Sequence, residues 1–149
     1  ISKLPREQVL SDLAASAKYV RSLPSANGKL AVGGFCWGGG RSWDTANTVD
    51  GLTASFVFYG TGPSTDEGAA GIDGPVHGFY GGDDARVNAT IDSSKAVMDK
   101  LGKRFEPVIY EGAGHAFMRL GELPDATPAN KKAHDEAWVR WLSLLHAIE

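Results

Sequence analysis

The stretch KLAVGGFCWGGG, residues 29–40, decides the fold that this sequence predicts. Residues 30–32 form a short apolar run between a turn signal at residues 27–28 and a group of glycines, which is typical of a buried strand. Residues 38–48 then predict a helix in spite of their glycines. A strand that turns directly into a helix is the repeating unit of a parallel sheet with helical crossovers.

The rest of the chain continues this alternation of strands and helices. A helix that begins near Pro5 is ended by Leu23-Pro24, because a residue before proline is disfavoured in helical conformation. The other predicted elements are strands over 54–59, 76–80 and 105–110, a helix capped by Asn88 or Thr90 and ended by Gly102, a last helix from Thr127-Pro128, and loops over 60–74 and 111–126. We therefore predict one α/β domain over residues 1–149, with a mostly parallel sheet and helices on both faces.

Helical spacing predicts which side chains of the first and last helices face the core. The predicted core positions are Val9, Leu13, Ala17 and Val20 in the first helix and Ala133, Ala137, Trp138, Trp141, Leu142, Leu145 and Ile148 in the last.

Composition narrows the functional classes. The 149 residues are 42% hydrophobic and 22% charged, which is ordinary for a globular domain. The net charge of -3 argues against a surface for nucleic acid or anionic membranes, and no run approaches the ~18 apolar residues of a membrane span. The single cysteine excludes an internal disulfide framework and a multi-cysteine zinc site, and it favours a cytoplasmic location.

Cys36 lies in a Gly-x-Cys-x-Gly sequence, the thiol version of a nucleophile elbow. A sharp turn from strand to helix would raise this side chain above the sheet, where the positive end of the helix dipole favours the thiolate. The backbone N–H of Trp37 would then be one donor to an oxyanion. The alternative is a buried cysteine that packs as a small hydrophobe. The strand and helix around Cys36 favour the nucleophile, and no G-x-G-x-x-G or G-x-x-x-x-G-K pattern supports a phosphate loop.

A nucleophile needs a base, and His115 is the best candidate among the four histidines. It lies in the loop after the fourth predicted strand, at the sheet edge where the sites of parallel α/β folds form. His77 falls inside a predicted strand and is expected to pack there. His134 and His146 fall on the last helix and are expected to be partly exposed.

The orienting acid is Asp83 or Asp84, in the loop after the third predicted strand. Either residue completes the chain order nucleophile, acid, histidine with Cys36 and His115. The alternative is that acidic residues after a strand simply favour the turn, and one of the two is expected to do only that.

Three segments carry a resemblance to a known family. GFCWGG at 34–39, YGGDDARV at 80–87 and GAGHAFMR at 112–119 resemble the dienelactone hydrolase family, which consists of α/β-hydrolases with a Cys–Asp–His triad. The resemblance covers nearly the whole chain, and the three segments occur in the family's order at fitting separations.

The resemblance implies roles for individual residues. Cys36 matches the nucleophile, His115 the base and Asp84 the acid, because the family's acid lies three residues before an aliphatic residue. Arg119 matches an arginine that binds the substrate carboxylate; the alternative is a solvated loop arginine. Tyr59 matches the aromatic end of a strand beside the pocket.

The implied activity is hydrolysis of an ester or lactone through a cysteine thioester, as in a carboxymethylenebutenolidase. No metal or organic cofactor is implied, and the expected partner is a small-molecule substrate. Two alternatives remain open. The same residues could act on other activated esters, including phosphotriesters, or the chain could be a catalytically silent binding protein of the same fold.

The resemblance also implies a larger sheet. It assigns the chain to the C-terminal part of an α/β-hydrolase fold, in which the strand over 29–34 is central and the N-terminal strands are missing. We expect an upstream segment of the same protein, either continuous with Ile1 or bound as a separate chain. The second oxyanion donor and further substrate-binding residues are expected on that segment.

Overall fold

The computed structural model describes residues 4–148. The ends of the predicted domain, residues 1–3 and 149, lie outside this range. The strands are β1 (Ala31–Phe35), β2 (Ala54–Phe58), β3 (Val76–Gly81) and β4 (Phe105–Tyr110). The helices are α1 (Arg6–Ser22), α2 (Trp37–Thr48), α3 (Ala85–Asn88), α4 (Ile91–Lys100), α5 (Phe117–Leu120) and α6 (Pro128–His146), with a 3₁₀ turn at Asp66–Gly68.

The four strands form one parallel sheet in the order β1-β2-β3-β4. Every residue of β2 and β3 is buried, as expected for central strands covered on both faces. The strands at either end are more exposed, and Pro107 lies in β4, where a missing N–H is tolerated at an edge. The α/β class and the parallel sheet are confirmed.

Helices cover both faces of the sheet. Right-handed crossovers between strands in sequential order place their helices on one face, and side chains of α1, α2 and α4 share a buried cluster there with Val57 and Tyr80. The other face packs Phe56, Phe58 and Phe79 against α6. Residues that alternate along β2 thus supply the two separate cores.

Helix α6 begins as the sequence predicts. The Thr127 side chain accepts a hydrogen bond from the Asn130 N–H, and Pro128 is the first helical residue. Further along, Arg140 reaches the sheet and donates to the backbone carbonyls of Gly78 (2.8 Å) and Glu106 (2.9 Å). Its guanidinium lies over the Phe79 ring, 4.3 Å from the centroid.

Some predicted boundaries and core positions are wrong. β1 begins two residues later and ends one residue later than the predicted 29–34, and α2 begins at Trp37 instead of Gly38. The predicted loops contain the 3₁₀ turn and α5, which are too short to show a periodicity. Thr90, not Asn88, precedes α4, and its hydroxyl donates back to the Val87 carbonyl instead of capping the helix. Among the predicted core residues, Val20, Trp138 and Leu142 are exposed.

Candidate active site

Cys36 stands alone between the end of β1 and the start of α2. Its backbone has φ 56° and ψ −116°, a conformation that L-residues rarely adopt. The Cys36 N–H donates to the carbonyl of Phe58 at 2.9 Å, which ties the turn to the end of β2. The side chain is exposed, as the elbow prediction requires.

The glycines around Cys36 have different roles. A Cβ on Gly34 would lie 2.1 Å from the Gly38 carbonyl oxygen, so only glycine fits there. A Cβ on Gly39 would lie 2.7 Å from the Phe58 carbonyl oxygen, so Gly39 lets α2 approach β2. By contrast, a Cβ on Gly38 would meet nothing within 4 Å. Close approach of the backbones therefore depends on Gly34 and Gly39, not on the second glycine of the Gly-x-Cys-x-Gly sequence, Gly38.

The structure brings Cys36, His115 and Asp84 into one continuous line of contacts. His115 Nε2 lies 3.1 Å from Sγ of Cys36, and His115 Nδ1 lies 2.5 Å from Oδ2 of Asp84. Asp84 is buried, and its Oδ1 accepts from the Val87 N–H at 3.4 Å. Asp83 is exposed, and its backbone N–H donates to the Ala113 carbonyl. Asp84 is therefore the acid beside the histidine, and Asp83 serves the turn.

Two asparagines hold the loops that carry the acid and the histidine. The Asn88 amide donates to the carbonyls of Gly81 (2.8 Å) and Gly82 (3.3 Å), in the turn before Asp84. Asn130 in the first turn of α6 accepts from the Gly114 N–H at 2.9 Å. The sequence suggested Asn88 only as a helix cap and gave no role to Asn130, because the groups that these side chains reach belong to the backbone of other segments.

Backbone strain is concentrated at this sheet edge. Three non-glycine residues among 4–148 have positive φ: Cys36 (56°), Tyr59 (41°) and Ala116 (63°). They follow β1, β2 and the histidine, and all three line the same hollow. Conformations of this kind cost about 1–3 kcal/mol each and cluster at functional sites. The strain therefore marks the same sheet edge as the contacts between side chains.

An apolar hollow of about 360 Å³ opens beside Cys36. Of the residues predicted from the sequence, Tyr59 and Arg119 both line it. Burial raises the pKa of the Tyr59 hydroxyl above its ordinary value, and the neighbouring Cys36 adds to the effect while Arg119 opposes it. The Tyr59 ring also packs edge-on against His115, with centroids 5.1 Å apart.

Sequence reasoning missed five residues of this apolar hollow: Phe35, Ala116, Met118, Glu122 and Trp138. Trp138 was predicted to face the core, but it stacks on the partly buried Trp141 and forms a wall of the hollow. Its indole N–H donates to Nε2 of His134 at 3.0 Å. Helical periodicity identified the apolar face of α6, but it could not show which residues of that face line the hollow instead of packing on the sheet.

A second, polar hollow of about 230 Å³ lies on the other side of Cys36. Besides Cys36 and Tyr59, it is lined by Trp37, Gly40, Arg41, Thr61 and Arg86. Of these residues, only Trp37 was predicted from the sequence as part of a site, through its backbone N–H. Trp37 is the first residue of α2, where an N–H has no acceptor within the helix and is available to a ligand.

The other histidines behave as expected. His77 is buried inside β3 and stacks on Phe56, with centroids 5.5 Å apart. Burial lowers the pKa of His77, and Glu106, 3.0 Å from its Nδ1, opposes that effect.

Within residues 4–148, no group of three or more His, Cys, Asp or Glu side chains is placed to hold a metal ion. In the same range, no helix has the length and apolar character needed to cross a membrane.

Cys36, Asp84 and His115 follow β1, β3 and β4. This is the chain order in which an α/β-hydrolase carries its nucleophile, acid and histidine. Within that fold class, the chain belongs to the dienelactone hydrolase family, because the family model of that name matches residues 1–149.

Sequence relatives agree with this assignment. A protein of Saccharolobus solfataricus named "Putative carboxymethylenebutenolidase" is 34% identical over 142 residues, which are 95% of this chain and 52% of the relative. A protein of the same name from Methylorubrum extorquens is 37% identical over 128 residues, 78% of this chain and 44% of the relative. The chain thus spans about half the length of these relatives.

The fold agrees with a solved structure from Klebsiella pneumoniae, titled "Putative Dienelactone Hydrolase". The two share a TM-score of 0.81 and 27% sequence identity, over 95% of this chain and 62% of the other. The assignment to an α/β-hydrolase fold therefore rests on both sequence and structure.

Proposed function

We propose that this chain carries the catalytic centre of a hydrolase that cleaves carboxylic esters or lactones through a thioester on Cys36. The observation that carries the proposal is the line of contacts from Sγ of Cys36 through both ring nitrogens of His115 to the Asp84 carboxylate. Family membership and the names of the relatives point to the same class of reaction. Since those relatives are about twice as long, the activity is proposed for the full-length protein that contains this chain.

In the first half-reaction, His115 takes the thiol proton through Nε2, and Sγ of Cys36 attacks the carbonyl carbon of the substrate. The carbonyl becomes an oxyanion, to which the Trp37 N–H donates a hydrogen bond. When the carbonyl re-forms, the bond to the ester oxygen breaks, and the leaving alkoxide receives the proton held by His115. The acyl group is then attached to sulfur as a thioester.

In the second half-reaction, water gives a proton to Nε2 of His115 and attacks the thioester carbonyl. The carbon–sulfur bond breaks and the carboxylic acid leaves, which restores the Cys36 and His115 pair. Asp84 accepts from Nδ1 throughout, so it fixes the ring tautomer that leaves Nε2 free and stabilises the imidazolium. In a lactone the alkoxide and the acid belong to one molecule, and the product is a hydroxy acid.

Arg119 and Tyr59 are proposed to bind the substrate and to take no part in breaking the ester bond. Arg119 is exposed at the rim of the apolar hollow, and no carboxylate among the described residues forms an ion pair with it. It would bind a carboxylate on the substrate. Tyr59, which is buried between Cys36 and Phe117, shapes the apolar wall.

The test is mass spectrometry of the full-length protein after mixing with p-nitrophenyl acetate, an unsaturated lactone and the phosphotriester paraoxon. We expect an acyl adduct on Cys36 with the first two substrates. Cys36→Ala should lose both the adduct and at least about 10³-fold of turnover. Full turnover by Cys36→Ala would exclude the thioester. A lasting adduct with paraoxon and none with the carboxylic esters would favour the phosphotriester alternative, and no adduct at all would favour a binding protein.

A further inference from the structure

Beyond Cys36, Tyr59 and the Trp37 N–H, the residues of the polar hollow beside Cys36 have no role in the reaction described so far. Two arginines line it, Arg41 from α2 and Arg86 from α3, together with the hydroxyl-bearing Thr61. None of its lining residues is acidic. It shares Cys36 and Tyr59 with the apolar hollow, so both hollows are within reach of a substrate bound at the sulfur.

The positive charge of this hollow is only partly neutralised. Arg86 is exposed and forms no ion pair with a carboxylate in residues 4–148. Arg41 pairs through Nη1 with Asp44 at 2.9 Å, but the other oxygen of that carboxylate binds Arg6 at 2.7 Å. One carboxylate thus serves two guanidinium groups, and a net positive charge remains.

The Arg41 guanidinium also has an unused donor. Its Nε is buried without a hydrogen-bond acceptor, while the guanidinium carbon lies 5.5 Å from the centroid of the Trp37 ring. Guanidinium groups bind carboxylate and phosphate oxygens in pairs of hydrogen bonds.

We propose that the hollow formed by Arg41, Arg86 and Thr61 binds an anionic group, carboxylate or phosphate, on the part of the substrate that extends away from the apolar hollow. The substrate class is then an ester with an anionic group on this side of the reacting carbonyl, in addition to the apolar portion and the carboxylate proposed for the side of Arg119. This assignment deepens the proposed function and rests on it for the role in catalysis. Binding of the anion itself requires no turnover.

The first experiment compares two alkylating agents of nearly equal size on the full-length protein. Sγ of Cys36 displaces iodide from both, but iodoacetate carries a carboxylate and iodoacetamide is neutral. Arg86→Gln should lower the ratio of iodoacetate to iodoacetamide rates by about threefold or more, since the hollow attracts the anion. The matched control is Arg104→Gln, which removes the same charge before β4, at the opposite end of the sheet, and should leave the ratio unchanged.

Two further arms identify the site and the anion. Arg119→Gln, measured in parallel, reports the apolar hollow, and a ratio that responds to Arg119→Gln but not to Arg86→Gln would overturn the proposal. Protection of Cys36 from iodoacetamide is then measured with sodium phosphate and with sodium acetate at constant ionic strength. Protection by either anion that weakens in Arg86→Gln supports the proposal and identifies the preferred group. Protection by neither anion overturns it.

The results for the anion site can be distinguished from those for the proposed hydrolase activity. If no ester is hydrolysed but the alkylation ratio depends on Arg86, the anion site stands and the hydrolase proposal fails. If esters are hydrolysed and Arg86→Gln leaves the alkylation ratio and the KM for an ester with an anionic leaving group unchanged, the anion site fails and the hydrolase stands.

Discussion

At the scale of single residues, the two adjacent acids in the loop after β3 have different roles because their side chains point in different directions. Asp84 turns inward, where it is buried against His115, while Asp83 remains exposed and uses only its backbone N–H. The residues alone left the choice between them open, because both follow a strand and both precede His115.

This separation predicts different effects of the same substitution. Asp84→Asn should lower kcat/KM by about 10²–10⁴-fold, since an amide that donates to Nδ1 selects the wrong ring tautomer. Asp83→Asn, the matched control, should remain within a few-fold of the wild type. Steady-state hydrolysis of one activated ester by both variants decides the matter, and the reverse ranking would assign the acid to Asp83.

His77 gives the molecule a pH-dependent term in its stability. Burial lowers the pKa of His77, so the folded state resists a proton that the unfolded chain accepts below its ordinary pKa of about 6.5. The contribution of His77 to the free energy of unfolding is therefore complete above the unfolded pKa and is lost as the pH falls towards the folded pKa. The pKa of Glu106 is lowered, chiefly by its hydrogen bond to Arg104, so its own contribution is lost only below the ordinary range of a carboxyl group.

We expect His77→Phe, which keeps a ring against Phe56, to flatten the fall in unfolding free energy between pH 7.5 and pH 5. The difference in slope from the wild type is at most about 1.4 kcal/mol per pH unit, the value for one proton. Urea unfolding at several pH values measures it. Equal slopes in the two proteins would mean that His77 takes up its proton in the folded state as readily as in the unfolded chain.

At the scale of elements, the contact between α2 and the end of β2 depends on two facing glycines. A Cβ on Gly39 would lie 3.0 Å from the Cα of Gly60, and a Cβ on Gly60 would lie 2.4 Å from the carbonyl carbon of Gly39. This close approach positions the helix behind Cys36. It explains the glycine at position 39, whereas a Cβ on Gly38 or Gly40 would meet no atom closer than 3.7 Å.

Adjacent glycines of α2 should therefore respond oppositely to alanine. Gly39→Ala should destabilise the fold by about 1–3 kcal/mol, since its Cβ would force apart two backbones. Gly38→Ala should be neutral or stabilise by up to about 1 kcal/mol, since alanine favours a helix and open space surrounds the site. Urea denaturation of both variants provides the comparison, and equal destabilisation would contradict the proposed role of Gly39.

The elements also show where sequence reasoning succeeds. β4 and the start of α6 have the predicted bounds, because a β-rich run and a Thr-Pro cap are local signals. Cys36, Asp84 and His115 could be grouped because the carboxyl ends of parallel strands meet at one sheet edge. Arg86 could not be found in the same way, since the direction of a side chain on a one-turn helix depends on how that helix packs.

At the scale of the whole molecule, β1 differs from the central strands because only one side of it is paired. β1 bonds to β2, and within residues 4–148 no strand lies on its other side. The Leu30 carbonyl accepts from Thr53 and the Cys36 N–H donates to Phe58, so even-numbered residues face β2. Because backbone direction alternates along a strand, the amides of Ala31, Gly33 and Phe35 point away from it.

We propose that this outer edge pairs with a strand from a part of the full-length protein outside residues 1–149. Unpaired edges without charge or proline are rare because they invite association, and β1 has neither. Exposed aromatic side chains at its end, Phe35 and Trp37, add apolar surface beside that edge. The relatives are long enough to contain such a strand, since this chain spans only about half the length of each.

Hydrogen exchange of single amides in the full-length protein tests this pairing within one strand. The amides of Val32 and Gly34, which face β2, are the internal control and should exchange slowly in any case. We expect Ala31, Gly33 and Phe35 to be protected to a similar degree, because a paired neighbour removes their access to water. Fast exchange at these three amides beside slow exchange at the control pair would show that the edge is open, and that β1 lies at the border of the sheet rather than inside it.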